Sequence, residues 1–248
     1  MLRAYVNGTI LAEESAGSPP LLVALHGWGR SRSDLLPLVQ GRYSVAVDLP
    51  GFGSSPPPPA AWGSAEYASV VGATIEEIAP DCGVIVVGHS FGGRVAVRLA
   101  ATRPDLVNGL VLSGVPLLRT SSGARAPIGY RVIRRARRWR LVSQSRLDQA
   151  RNRFGSTDYK AAQGVMRDVL VRVVNESYDS DLRKIECPVG FCWGALDTAA
   201  PLSIAGDASK LVRRVEVFNV SERSGHDVHR QDPDLFCGTI EAIVRAIA

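Results

Sequence analysis

Gly88-His89-Ser90-Phe91-Gly92 sets a serine midway between two glycines, the spacing of an exposed nucleophile on a tight turn. A serine hydroxyl is a weak nucleophile near neutral pH and needs a base, which in turn needs an orienting acid. Four histidines are available. His89 is next to Ser90 in the chain and poorly placed to face its hydroxyl. His26 lies in an early loop. His226, in Ser224-Gly225-His226-Asp227, is read as the base. His229 is a weaker alternative, whose plainer reading is a surface loop histidine. Asp197, in Trp193-Gly194-Ala195-Leu196-Asp197, is read as the acid, against a plainer role in capping the helix near Pro201. Asp48 precedes the serine and is assigned instead to shaping the Leu49-Pro50-Gly51 turn. Ser90, Asp197 and His226 then follow in that order along the chain. Their chemistry would be acyl transfer: Ser90 attacks a carbonyl, His226 takes its proton, Asp197 fixes the imidazole tautomer, and water cleaves the acyl-enzyme. The backbone N–H of Phe91 opens the helix after the turn and would face the developing oxyanion.

These residues act together only if strand ends gather them. Val84 to Val87 is a short, mostly β-branched run that reads as a buried strand, and Arg94 to Ala101 reads as the helix after the serine turn. Leu21–Leu25, Tyr43–Val47, Val107–Leu112, Val189–Trp193 and Val215–Val220 read as further strands. Helices are expected from Ser31 or Ser33 through Val39, from a Ser64 cap to Ala79, over Pro201–Leu211, and from Asp232 to Ala246. Asn7-Gly8 signals a two-residue hairpin near the start, and Ser18-Pro19-Pro20 is expected to end that ribbon. Alternating strands and helices imply a mostly parallel sheet covered on both faces, with reactive groups at the C-terminal strand ends. Between Pro116 and Glu186 strand signals vanish, and Asp158 to Val174 has helical periodicity, so this stretch reads as a helical insertion.

Several motifs together resemble the α/β-hydrolase fold, in the group with a helical lid. They are Gly88-His89-Ser90-Phe91-Gly92-Gly93, His26-Gly27-Trp28-Gly29, Asp48-Leu49-Pro50-Gly51-Phe52-Gly53-Ser54-Ser55, Trp193-Gly194-Ala195-Leu196-Asp197 and Gly225-His226. The resemblance implies a core of residues 1–115 and 187–248 with a lid of 116–186. It implies Trp28 as the second oxyanion donor beside Phe91. It also places His26, Gly27 and His89 around the substrate. A serine at the turn argues against the dehalogenase and epoxide hydrolase branches, which carry aspartate there. The motifs leave the acceptor open. A carboxylic ester is the first expectation, with C–C bond hydrolysis, acyl transfer, haloperoxidase chemistry and a non-catalytic binding role beside it.

Composition sets outer bounds. The chain has 248 residues, 46% hydrophobic and 21% charged, as in an ordinary globular domain. No apolar run is long enough for a transmembrane helix and no signal-peptide pattern opens the chain, which suggests a cytoplasmic protein. Cys82, Cys187, Cys192 and Cys237 lack metal-ligand spacing, and no metal or organic cofactor is implied. The net charge of +5 comes from one place: between residues 116 and 186 sixteen Lys and Arg face seven Asp and Glu. Arg131, Arg134, Arg135, Arg137, Arg138 and Arg140 are read first as a solvated outer face. Recognition of an anionic acyl substrate comes second, and nucleic acid last because no recognition motif accompanies the run. The partner expected is a small acyl molecule; the oligomeric state is not legible.

Overall fold

The computed structural model describes residues 1–80, 82–118 and 157–248. Eight strands form one sheet: β1 (Leu2–Tyr5), β2 (Ile10–Ser15), β3 (Ser18–Leu25), β4 (Arg42–Asp48), β5 (Val84–His89), β6 (Val107–Ser113), β7 (Val189–Gly194) and β8 (Val215–Ser221). Their spatial order is β1-β2-β4-β3-β5-β6-β7-β8. β2 runs antiparallel to β1 and to β4, and every pair from β4 to β8 is parallel.

The β-branched runs explain which strands lie at the centre. All six residues of β5 are buried, and they alternate between two cores as a pleated strand requires. Val84 and Val86 join Tyr67, Val71 and Ile75 of α2 (Ser64–Ile78) and Val95 and Leu99 of α3 (Phe91–Thr102). Ile85 and Val87 join the opposite layer, with Val39 of α1 (Leu36–Val39) and Phe236, Ile240 and Ile243 of the closing helix, Pro233–Ile247. β8, at the edge, is mostly exposed or half-buried.

Several local expectations are corrected. The first hairpin closes through four residues, Val6–Thr9, because Tyr5 pairs with Ile10, and Val6, Asn7 and Gly8 all take positive φ. Pro19 and Pro20 lie inside β3, whose first residue pairs with Arg42 before a register shift. Ser31 flanks a short 3-10 turn without a side-chain cap bond, and its hydroxyl meets Ser33 at 2.8 Å. Ser64 is the first residue of α2 rather than its cap; the Glu66 carboxylate accepts from Gly63 N at 2.9 Å instead.

Between β6 and β7 the described residues form helices and no strand: α4 (Thr157–Ala161), α5 (Gly164–Val173) and α6 (Asp179–Leu182). The helical run expected over Asp158–Val174 is two helices, broken where Gln163 takes extended backbone. Their inner faces bury Tyr159, Val169, Leu170, Val173 and Leu182. The basic run Arg131–Arg140 lies outside the described residues, and so does the rest of 119–156. Beyond β7 come α7 (Leu202–Ser209), then α8 (Val228–Gln231) and α9 (Pro233–Ile247). The four cysteines are free; burial pushes the Cys187 thiol up to about 11 and the Cys192 thiol up to about 12. Among the described residues no helix is long and apolar enough to cross a membrane.

One glycine is fixed by packing at the turn where β5 meets α3. A Cβ at Gly92 would collide with the backbone carbonyls of Leu25 and His26. Gly92→Ala is therefore expected to destabilise the fold by about 3 kcal/mol, because backbone on both sides leaves nothing to yield. A thermal melt checks this; an unchanged midpoint would contradict the close approach.

Candidate active site

The ends of four parallel strands converge on one place. Ser90 follows β5, Trp28 follows β3, Asp197 follows β7 and His226 follows β8. Ser90 has φ 50° and ψ −110°, a region that side chains seldom adopt, and it lifts the hydroxyl off the strand at the start of α3. His226 Nε2 lies 3.0 Å from Ser90 Oγ, and His226 Nδ1 lies 2.8 Å from Asp197 Oδ2. The Asp197 side chain is fully buried while that of His226 is 29% exposed. Asp197 Oδ1 accepts from Ala199 N and Ala200 N, both at 2.8 Å, so each carboxylate oxygen has its own donors. The structure thus brings together the three residues expected to act together.

The loop after β3 lies against the same serine. A Cβ at Gly27 would sit 3.4 Å from Ser90 Cβ and 3.0 Å from the His89 ring. Trp28, next in the chain, meets Phe91 edge to face at 5.4 Å and Phe52 at 4.9 Å. From the other side, Trp28 packs against the cluster of Tyr159, Ala162 and Leu170. Four arginines, two on α3 and two on α5, are committed to protein partners. Arg94 donates to Val173 O, Arg98 to Asp181, Arg167 to Ala162 O, and Arg172 to Ala61 O and Glu66.

His26 and His89, expected around the substrate, are both fully buried. His26 Nε2 accepts from Leu49 N at 3.0 Å and its Nδ1 meets Gly27 O at 2.7 Å, so this ring fastens the Trp28 loop to the end of β4. Burial lowers its pKa, which keeps the ring neutral. His89 Nδ1 meets Ser113 O at 3.1 Å, and burial pushes its pKa down to about 4. Asp48 does organise the turn: it accepts from Arg32 N and Ser54 N, at 2.6 and 2.8 Å.

His229 is no surface histidine. It is fully buried, with its ring 4.2 Å from that of His89 and its Nε2 3.2 Å from Asp34 Oδ2. Arg30 completes this cluster. Its Nη2 donates to Asp227 Oδ1 and Oδ2 at 2.7 and 2.6 Å, and its Nη1 to Asp34 Oδ1 at 3.2 Å. His89 and Arg30 hold the Asp227 carboxyl well below the usual carboxylate range. His89, Asp227 and His229 bring ligand-type atoms within 4.8 Å of one another. A metal ion fits poorly there, because the Arg30 guanidinium already lies on both Asp227 oxygens and would repel it. Sequence reading missed Arg30, Asp34 and Asp227; nothing in the local pattern couples positions 197 residues apart.

A family model described as the alpha/beta hydrolase family matches residues 22–239. Lipase LipV of Mycobacterium tuberculosis is 32% identical over 172 residues, 69% of this chain and 63% of that protein. The pimeloyl-[acyl-carrier protein] methyl ester esterase of Aliivibrio salmonicida is 29% identical over 231 residues, 82% of this chain and 84% of that one. The matched region spans less than two thirds of the lipase, and only 37% and 39% of two further curated esterases. Among solved structures, an esterase from Exiguobacterium antarcticum superposes with a TM-score of 0.73 at 20% identity, covering 98% of both chains.

Proposed function

The chain belongs to the alpha/beta hydrolase family, and within it we propose a serine hydrolase that cleaves a carboxylic ester through an acyl-enzyme on Ser90. The observation that carries this reading is the chain of contacts from Asp197 Oδ2 to His226 Nδ1 at 2.8 Å and from His226 Nε2 to Ser90 Oγ at 3.0 Å. A base within hydrogen-bond reach of a serine, itself held by a buried carboxylate, is the arrangement that activates a hydroxyl. His226 takes the proton as Ser90 attacks the ester carbonyl. The same proton then goes to the departing alkoxide. Water repeats the sequence on the acyl-enzyme. The oxyanion is assigned to the N–H groups of Phe91, which opens α3, and of Trp28, whose loop lies against Ser90. Relatives that include a lipase and a methyl ester esterase support the ester class.

The substrate's acyl group is assigned an apolar contact surface. Trp28, Phe52 and Phe91 form the aromatic group beside Ser90, and Arg94, Arg98, Arg167 and Arg172 are bound to protein atoms. Residues 116–186 are assigned as a cap over this surface. Support comes from Trp28 packed against Tyr159, Ala162 and Leu170, and from Met166 seated where a Cβ at Gly51 would be.

The test combines labelling by a small fluorophosphonate, mapped by mass spectrometry, with hydrolysis of p-nitrophenyl butyrate and p-nitrophenyl succinate. The expected result is one adduct, on Ser90, and faster turnover of the neutral butyrate. An adduct elsewhere, or no adduct and no turnover from folded protein, would overturn the reading.

A further inference from the structure

A hydrolase of this kind needs two loops at a fixed distance. One carries the base, His226, and the other the oxyanion donor, Trp28. The first follows β8 and the second follows β3. In the sheet β5, β6 and β7 lie between those two strands, so no ladder hydrogen bond joins them. Something else must hold the loops in register, because an error of about 1 Å in such a site costs on the order of 10²-fold in rate.

Two ionic contacts between charged or titratable side chains join these loops among the described residues: Arg30 to Asp227 and Asp34 to His229. Arg30 is two residues past Trp28, and Asp227 is the residue after His226. The Arg30 Nη2 bonds both oxygens of Asp227, at 2.7 and 2.6 Å. Each end is itself anchored. Arg30 also reaches Asp34 at 3.2 Å, and the Asp227 carbonyl accepts from Arg230 N and Gln231 N, at 2.9 and 3.0 Å, at the start of α8. Both side chains are under one third exposed, which favours a persistent geometry over a solvated surface pair. A movement of either loop would break a charge-assisted pair and leave the Asp227 carboxylate, 3.6 Å from the buried His89, without its cation.

We propose that Arg30 and Asp227 are positioning residues: their ion pair sets the distance between the oxyanion loop and the His226 loop. The catalytic consequence rests on the serine-hydrolase reading above; the cross-link itself does not. Neither residue touches the reacting atoms. They act through the backbone of Trp28 and the ring of His226.

The test uses Arg30→Gln, Asp227→Asn and the double variant in the full chain, with two readouts. Hydrogen–deuterium exchange reports the cross-link directly. Asp227→Asn should speed exchange of the amides of Gly27 to Arg30, and Arg30→Gln those of Gly225 to Val228, each about tenfold, with β5 unchanged. Ester kinetics, counted per serine labelled at completion, report the consequence. Each single variant should lose about tenfold in kcat with KM within about twofold, and the double variant should lose no more than the worse single. Faster exchange confined to the mutated loop would overturn the proposal. So would losses that multiply in the double variant, or full kcat in both singles. A wild type that turns over no ester would overturn the hydrolase reading alone, and the exchange result would still decide the cross-link.

Discussion

Ser90→Ala is expected to lower kcat on a short p-nitrophenyl ester by about 10⁶-fold while the protein stays folded and keeps its substrate affinity. The substitution removes one oxygen atom. His226 Nε2, now 3.0 Å from that oxygen, loses the proton it would accept, and no covalent intermediate can form. The fold should not register the change, because alanine keeps the Cβ and the backbone position of the serine and loses only the oxygen that faces His226. Steady-state kinetics, a fluorophosphonate adduct and a thermal melt check the three parts together. Retention of more than about one hundredth of the turnover would place the nucleophile elsewhere.

Asp197→Asn should cost about 10⁴-fold in kcat although it changes no volume. The reason lies in the hydrogen bonds around the carboxylate. Oδ1 accepts from two backbone N–H groups, Ala199 and Ala200, so in the variant that position must stay an oxygen. The new NH₂ group is then forced toward His226 Nδ1, where Asp197 Oδ2 now stands at 2.8 Å. A donor there makes His226 accept at Nδ1 and carry its proton at Nε2, the nitrogen that must receive the serine proton. The base is held in the wrong tautomer by an otherwise intact site. Measured kcat for the folded variant tests this; a loss of less than about tenfold would mean that Asp197 orients nothing.

What the sequence conveyed divides by distance along the chain. Central strands were legible because buried parallel strands are short β-branched runs, and β5 is buried along its whole length. Ser90 and Asp197 were legible because each stands past such a run, and His226 because it follows the last strand and few histidines compete for its role. Local geometry was less so. The first hairpin needed positive φ at Val6, which nothing in a β-branched residue announces, and a helical pattern over 158–174 hid the extended Gln163. Least legible was the ground behind the site. His26, His89 and His229 read as loop residues one at a time, and all three are fully buried. Their partners come from distant segments: Leu49 for His26, Ser113 for His89, Asp34 for His229.

The backbone of Ser90, with φ 50° and ψ −110°, sits where glycine would be at ease and serine is not. The surrounding fold holds it there through Gly92 N to His26 O, at 3.0 Å, and Ser90 N to Ser113 O, at 2.9 Å. Selection for robustness and selection for turnover therefore pull on this position in opposite directions. A lineage that ceased to need the reaction would gain by letting the serine drift to glycine, keeping the architecture and losing only the chemistry. Within such a family, an intact elbow is a sign of continuing use.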